Sequence, residues 1–273
     1  MSDFLEQVIA ERREAVAEAR TRRPLQAAPI AGDWIAGVGD RFEAALLRNR
    51  ALGMMSVIAE VKRVSPALGN LAAPTFDPVD QARRYVAAGA TAISVLTEPR
   101  HWGGSLDDLA RIRAALPGVP LLCKDVIVDE YQIVEAKQAG ADAVLLIAEA
   151  LTDADMRALA TRAEVSPPLG LLVEAHEPAA FARAVALGRL VVGVNARNLR
   201  EPKEIDPRRV HELAPLARKH QILVAESGIG SAEDARRLPS RVNAVLIGTA
   251  LMRADDPGAL IRSIAAIPRA VPA

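Results

Sequence analysis

Apolar residues along this chain gather into eight short runs, most of which close on a single polar or charged residue. The runs cover residues 56–62, 92–98, 120–124, 143–149, 169–174, 190–195, 222–226 and 244–248. Within them Val, Ile and Leu follow one another without polar alternation, which predicts parallel strands covered on both faces. Most are separated by an Ala- or Leu-rich amphipathic stretch of roughly helical length. Eight strand–helix units in roughly 200–250 residues predict an α/β fold, a single (β/α)8 TIM barrel. The C-terminal strand ends of such a barrel carry its chemistry.

The chain ahead of the first run is patterned differently. Residues 1–50 read as an N-terminal helical extension packed on a barrel that occupies 51–273. Phe4, Leu5, Val8, Ile9 and Val16 recur at helical spacing over residues 3–20, with Asp3 near the N-cap. A second short helix is expected over 41–47, and Pro24, Pro29 and Gly32 mark the loop between the two. Two roles suit this extension: covering apolar barrel surface, or crossing the barrel mouth and shaping the pocket.

Composition narrows the setting. One barrel accounts for 273 residues, and a second independent domain has little room. The 34 basic and 34 acidic residues cancel, which argues against nucleic acid or an anionic membrane as partner. A lone cysteine, Cys123, excludes an internal disulfide and fits a reducing compartment. Residues 1–20 are rich in charge, and no apolar run approaches the roughly 18 residues of a membrane span. The expectation is a soluble cytoplasmic protein, a monomer or weak homodimer.

The strand ends supply the candidate chemistry. Glu60 and Lys62 are two residues apart, so on a strand they share a face, and that face points into the barrel. Replacing a buried ion pair by apolar residues is often neutral or stabilising, so stability is a poor reason to keep one there. By the same parity Lys124 shares a face with Leu122, and Glu174 with Leu172. One charge pair at about 4 Å and an effective dielectric near 20 interacts by roughly 4 kcal/mol, enough to move pKa values by a few units. Unlike environments for like groups assign one acid and one base: a protonated lysine to donate to a leaving oxygen, a carboxylate to remove a ring proton.

Asn195 and Arg197 also share parity, setting a neutral amide beside a cation. The seventh and eighth runs end in Glu226-Ser227-Gly228-Ile229-Gly230 and Ile247-Gly248-Thr249-Ala250. Small residues there let backbone N–H groups approach an anion, and phosphate at this pair of strands is a common feature of the barrel. Cys123 falls on the face opposite Lys124 and reads as a core thiol. His101, His176, His211 and His220 show no metal-ligand spacing, and His176 reads as a loop residue. Trp102, in His101-Trp102-Gly103-Gly104-Ser105, is placed to stack an aromatic ligand at the rim.

Taken in order, seven motifs resemble those of the indole-3-glycerol phosphate synthase family. They are Val57 to Pro66 (VIAEVKRVSP), Ser94 to Glu98 (SVLTE), Lys124-Asp125 with Ile127 to Asp129, Leu172 to Glu174, Asn195 to Leu199 (NARNL), Ala225 to Ile229 (AESGI) and Leu246 to Leu251 (LIGTAL). The resemblance implies closure of the indole ring of 1-(2-carboxyphenylamino)-1-deoxyribulose 5-phosphate, a phosphorylated small molecule, with loss of carbon dioxide and water in tryptophan biosynthesis. It implies a general-acid lysine at Lys124, a second cation at Lys62 and a general base at Glu174. Glu60 and Asn195 would orient the lysines and hydroxyls, with Ser227 as a supporting polar contact. Ser65, Arg197, Gly228, Gly248 and Thr249 match phosphate-binding positions, and Glu226 and Trp102 complete the substrate contacts. Ring closure leaves an iminium that draws electrons from the carboxylate, so the chemistry asks for no cofactor and no metal.

The chain departs from the family pattern twice. Ser-Pro-Ser becomes Ser65-Pro66-Ala67, and the phenylalanine usual after Lys-Asp is Val126. Losing that aromatic trims about 50–100 Å² of pocket contact, roughly 1–3 kcal/mol at about 25 cal/mol per Å². Trp102 is suited to fill the gap. Rival readings are a Schiff-base aldolase built on Lys124, phosphoribosylanthranilate isomerase, and a non-catalytic sugar-phosphate binder. The isomerase needs a thiol that Cys123 does not present, and the binder has no use for Glu60, Lys62, Lys124 and Glu174 together.

Overall fold

Unbroken apolar runs need cover on both faces, and closure into a barrel provides it. The computed structural model describes residues 3–24, 41–165 and 168–270, so Pro29 and Gly32 lie outside the described residues. The chain opens with α1 (Phe4–Arg22) and α2 (Arg41–Ala51), then β1 (Ser56–Val61) and a small hairpin of β2 (Val64–Ser65) and β3 (Gly69–Asn70). Strands and helices then alternate: α3 (Pro78–Ala87), β4 (Ala92–Leu96), α4 (Leu106–Ala115), β5 (Leu121–Lys124), α5 (Glu130–Gln138), β6 (Ala143–Ile147) and α6 (Asp153–Glu164). The second half runs β7 (Gly170–Ala175), α7 (Pro178–Ala186), β8 (Val191–Asn195), α8 (Arg208–Leu213), β9 (Ile222–Glu226), α9 (Ala232–Arg237), β10 (Val242–Ile247), α10 (Thr249–Arg253) and α11 (Pro257–Ala265).

Strands β1, β4, β5, β6, β7, β8, β9 and β10 form one closed parallel barrel in sequence order, with β10 returning to β1. The eight predicted runs are therefore the eight barrel strands. Every residue in them is buried except Lys124, which is part-exposed at the end of β5. Polar caps start many of the helices. The side chains of Asp77, Ser105, Asp129, Thr152 and Asp256 each accept a first-turn N–H that the helix itself cannot satisfy. No described helix is long and apolar enough to cross a membrane.

The two N-terminal helices serve opposite ends. α2 runs to Ala51, past its expected end at residue 47, and closes the bottom of the barrel with Phe42 and Leu46 fully buried. Its Arg50 donates to the carbonyls of Lys219 at 2.5 Å and His220 at 2.7 Å, in the segment that leads into β9. α1 begins at the predicted cap, with Asp3 Oδ1 accepting from Glu6 N–H at 2.9 Å, and buries Leu5, Val8 and Val16. Its polar groups reach loops at the C-terminal mouth: Glu11 to His101 at 2.5 Å, Arg12 to Asp125 at 2.9 Å and Asp3 to Arg200 at 2.5 Å. Phe42→Ala removes a whole buried ring and leaves a cavity, so it should destabilise the protein by about 3–5 kcal/mol in denaturant unfolding while leaving the distant mouth intact.

Candidate active site

Side chains from the strand ends and from α1 line one cavity of about 700 Å³ at the mouth. Glu60 on β1, Lys124 on β5, Glu174 on β7 and Glu226 on β9 come from alternate strands, the arrangement that stacks such barrels in layers of four. Here the layer is ionisable. Lys124 Nζ lies 3.3 Å from Glu174 Oε2 and 3.8 Å from Glu226 Oε2, and Lys62 Nζ lies 2.8 Å from Glu60 Oε1. The parity read from the sequence brings all four predicted residues, Glu60, Lys62, Lys124 and Glu174, into one wall.

Two glycines make room for the carboxylates. A Cβ at Gly193, opposite Glu174 in register, would collide with Glu226 Oε1. A Cβ at Gly248 would collide with Glu60 Oε1. Gly248, expected at a phosphate turn, thus also seats a strand-end acid. Glu226, grouped in the sequence with the phosphate residues, sits 1% exposed against Lys124.

Charge and burial compete in this layer. Burial works against the Lys124 ammonium, but the carboxylates of Glu174, Glu226 and Glu60 outweigh it and hold the group above its ordinary value. Burial, with the Glu174 carboxylate alongside, pushes the Glu226 carboxyl well above the usual carboxylate range against the pull of Lys124. Arg197 is lowered by burial, partly offset by Glu60.

On the side of β1, β8, β9 and β10 the cavity is lined by Ser65, Asn195, Arg197, Ser227, Gly228, Gly248 and Thr249. Asn195 Oδ1 accepts the Arg197 N–H at 3.0 Å, so this amide caps its turn while facing the cavity. The Arg197 guanidinium donates to the Pro202 carbonyl. Ser227 has φ of 64° and Gly228 of 70°, so the chain turns sharply straight after Glu226. A left-handed serine is uncommon and mildly strained, and such outliers concentrate at functional sites. Arg253 on α10 joins this wall and was not singled out in the sequence. Its spacing of one helical turn from Thr249 was the available signal.

The opposite side is apolar. Trp102, Val126, Leu96, Leu145 and Ile147 line it, joined by Phe4 and Leu5 from α1. Phe4 packs edge-on against Trp102, with ring centroids 5.9 Å apart, and against His101 at 5.2 Å. α1 therefore lines part of the pocket at the mouth. Phe4 and Leu5 had been legible only as helix positions.

Other strand-end groups build loops. Glu98 accepts the N–H groups of Arg100, His101 and Trp102 at 3.0, 2.6 and 3.1 Å, folding the loop that presents Trp102. Glu149 does the same for His176 and Glu177 at 2.7 and 2.9 Å. His176 lies in the loop as expected, in the bend straight after β7, and is only 2% exposed there, with Nδ1 3.1 Å from Glu149 Oε1, because Glu149 draws that turn inward. Cys123 is buried as expected; burial pushes its thiol up to about 12. Among the described residues no group of three or more His, Cys, Asp or Glu could hold a metal ion.

Comparison with known proteins agrees with this geometry. The family model described as Indole-3-glycerol phosphate synthase matches residues 5–264. The chain is 50% identical over 221 residues to a protein of that name from Nocardioides sp., covering 80% of this chain and 82% of the relative. It is 42% identical over 266 residues to one from Polaromonas sp., covering 97% and 98%. Among solved structures, 3-hexulose-6-phosphate synthase from Salmonella typhimurium superposes with a TM-score of 0.61 at 15% identity, covering 77% of this chain and 97% of that one. Tryptophan synthase subunit alpha from Legionella pneumophila gives 0.60 at 14%, covering 82% and 96%. Those distant likenesses show the barrel alone, whereas the family match spans barrel and N-terminal helix together. The chain belongs to the indole-3-glycerol phosphate synthase family.

Proposed function

We propose that Lys124 is the general acid and Glu174 the general base for the reaction of this family, closure of the indole ring of 1-(2-carboxyphenylamino)-1-deoxyribulose 5-phosphate with loss of carbon dioxide and water. The observation that carries the assignment is the 3.3 Å Lys124–Glu174 pair inside a buried, carboxylate-walled layer. The substrate phosphate lies against Ser65, Arg197, Gly228, Gly248 and Thr249, with Arg253 as an added cation. Its aromatic ring lies against Trp102, Val126 and Phe4. These two walls rise from opposite sides of the barrel, so the reacting carbons fall between them, over Lys124 and Glu174.

Lys124 protonates the ketone oxygen as the ring carbon bearing the carboxylate attacks the carbonyl carbon. The new carbon–carbon bond leaves an iminium, and the bond to the carboxylate breaks to neutralise it, releasing carbon dioxide. Lys124 then protonates the departing hydroxyl while Glu174 takes a proton from the ring methylene. One of the two protons spent returns from Glu174 across 3.3 Å. The other comes from water, because decarboxylation consumes one. Lys62, set by Glu60, faces the substrate carboxylate; Asn195 and Ser227 contact the hydroxyls. A Schiff-base aldolase would need Lys124 as a free amine, and its carboxylate neighbours hold it protonated.

Three outcomes follow from these roles. Lys124→Met should lower turnover by at least about 10³-fold, measured as indole fluorescence, while substrate still binds; turnover near that of the parent would overturn the acid assignment. Trp102→Ala should raise KM by roughly two- to tenfold through the lost ring contact; unchanged KM and kcat would remove Trp102 from the aromatic wall. The raised Glu226 carboxyl has a stability signature. Near pH 4 it is protonated folded and unfolded alike, whereas with rising pH only the unfolded state ionises freely, so the fold loses stability. Glu226→Gln should therefore stabilise the protein more at about pH 8 than at about pH 4 in denaturant unfolding. Equal effects at both would show Glu226 to be an ordinary carboxylate.

A further inference from the structure

α1 sends one charged group to the foundation of the lysine. Arg12, its side chain 14% exposed, stands against Asp125, 5% exposed, with Nε 2.9 Å from Oδ1. Arg12 Nη2 donates to Asp125 Oδ2 at 3.0 Å. The same carboxylate accepts the Thr97 hydroxyl at 2.8 Å through Oδ2 and the Val126 N–H at 2.8 Å through Oδ1. Thr97 in turn donates its N–H to the Lys124 carbonyl at 3.0 Å. The peptide unit that mounts Lys124 is thus held between Thr97 on its own carbonyl and Asp125 immediately after it, and Asp125 is charge-matched by a residue 113 positions earlier in the chain.

That match is needed because of where Asp125 sits. Burial pushes its carboxyl up, and Arg12 is the first of the groups that pull it back, with Glu98 adding repulsion. Removing one partner of a buried pair leaves an uncompensated charge, which costs far more than the pair itself contributes. An Asp125 that turns toward water in search of solvation would carry with it the backbone of Lys124.

We propose that Arg12 is a positioning residue for Lys124, acting through Asp125, so that the N-terminal helix sets the geometry of the general acid. This rests on the assignment of Lys124 above. Lys124 Nζ must stay within reach of Glu174 and of the substrate oxygen together, and a displacement near 1 Å can lower a rate by up to about a hundredfold. Arg12 itself is not placed against substrate: the cavity wall includes Asp125 and Lys124, and from α1 only Phe4 and Leu5.

The experiment is steady-state kinetics on the full chain with Arg12→Met, Arg12→Lys and the double variant Arg12→Met/Asp125→Asn. Methionine is a good helix former and keeps the apolar contacts of the arginine stem, so α1 persists. Arg12→Met should lower kcat roughly tenfold with KM within about threefold. Simple undocking of α1 would instead raise KM, because Phe4 and Leu5 would leave the aromatic wall. The double variant should recover most of the lost kcat, since asparagine Oδ1 can still accept the Val126 N–H while its Nδ2 donates to the Thr97 hydroxyl, and the neutral amide requires no cation. Arg12→Lys, with charge but no planar fork, should fall between. Wild-type kcat in Arg12→Met, a rise confined to KM, or a double variant no faster than the single would overturn the proposal. Lys124→Met assayed beside them separates the two claims. If it is inactive while Arg12→Met is normal, only the positioning role fails; if it is active, the acid assignment fails.

Discussion

Four ionisable side chains from alternate strands, closed into one layer of an otherwise apolar barrel, set the terms for the rest of this molecule. Glu60, Lys124, Glu174 and Glu226 point inward because strand parity leaves them no other direction, and water cannot reach most of them. Charges confined in this way must balance one another at close range. The surrounding carboxylates favour the ammonium form of that lysine, while burial, with the Glu174 carboxylate alongside, raises the Glu226 carboxyl well above the usual carboxylate range. The proposed acid and base roles rest on this packing. Gly193 and Gly248 belong to the same constraint, since any side chain at either position would evict a carboxylate.

Around this layer the other acids work as scaffolding. Glu98 and Glu149 end apolar runs much as Glu174 and Glu226 do, yet backbone N–H groups of the turns near them donate to both oxygens of Glu98 and to Oε1 of Glu149. One loop presents Trp102 and the other buries His176. α1 and its cap extend this scaffolding over the mouth, meeting the His101, Asp125 and Arg200 loops through charged residues and contributing Phe4 and Leu5 to the pocket. The helix is therefore continuous with the site it covers.

The barrel was legible in the sequence because parallel strands buried on both faces must be apolar throughout, and that pattern recurs eight times. The charged residues of the site were legible for the converse reason: Glu60, Lys62, Lys124 and Glu174 interrupt apolar runs at the parity that faces inward. What was not legible depended on contacts distant in sequence. Nothing local distinguishes Glu149, which staples a loop, from Glu174, which faces the cavity, and nothing local says that His176 is buried beneath its own turn. Phe4 has the spacing of any helix contact until the helix is seen to lie against Trp102. Gly248 could be read as a phosphate turn, but its role in seating Glu60 appears only when β10 closes against β1.

The central claim is that the carboxylate layer keeps Lys124 charged, and a direct titration of that one group tests it. With lysine ε-carbons labelled by carbon-13 and the Lys124 signal assigned by its loss in a substituted protein, the chemical shift reports protonation as pH is raised. Lys124 should remain an ammonium beyond the ordinary lysine value of 10.5 for as long as the fold persists. A shift that titrates below that value would mean burial outweighs the carboxylates, and the layer could not supply the acid that ring closure requires.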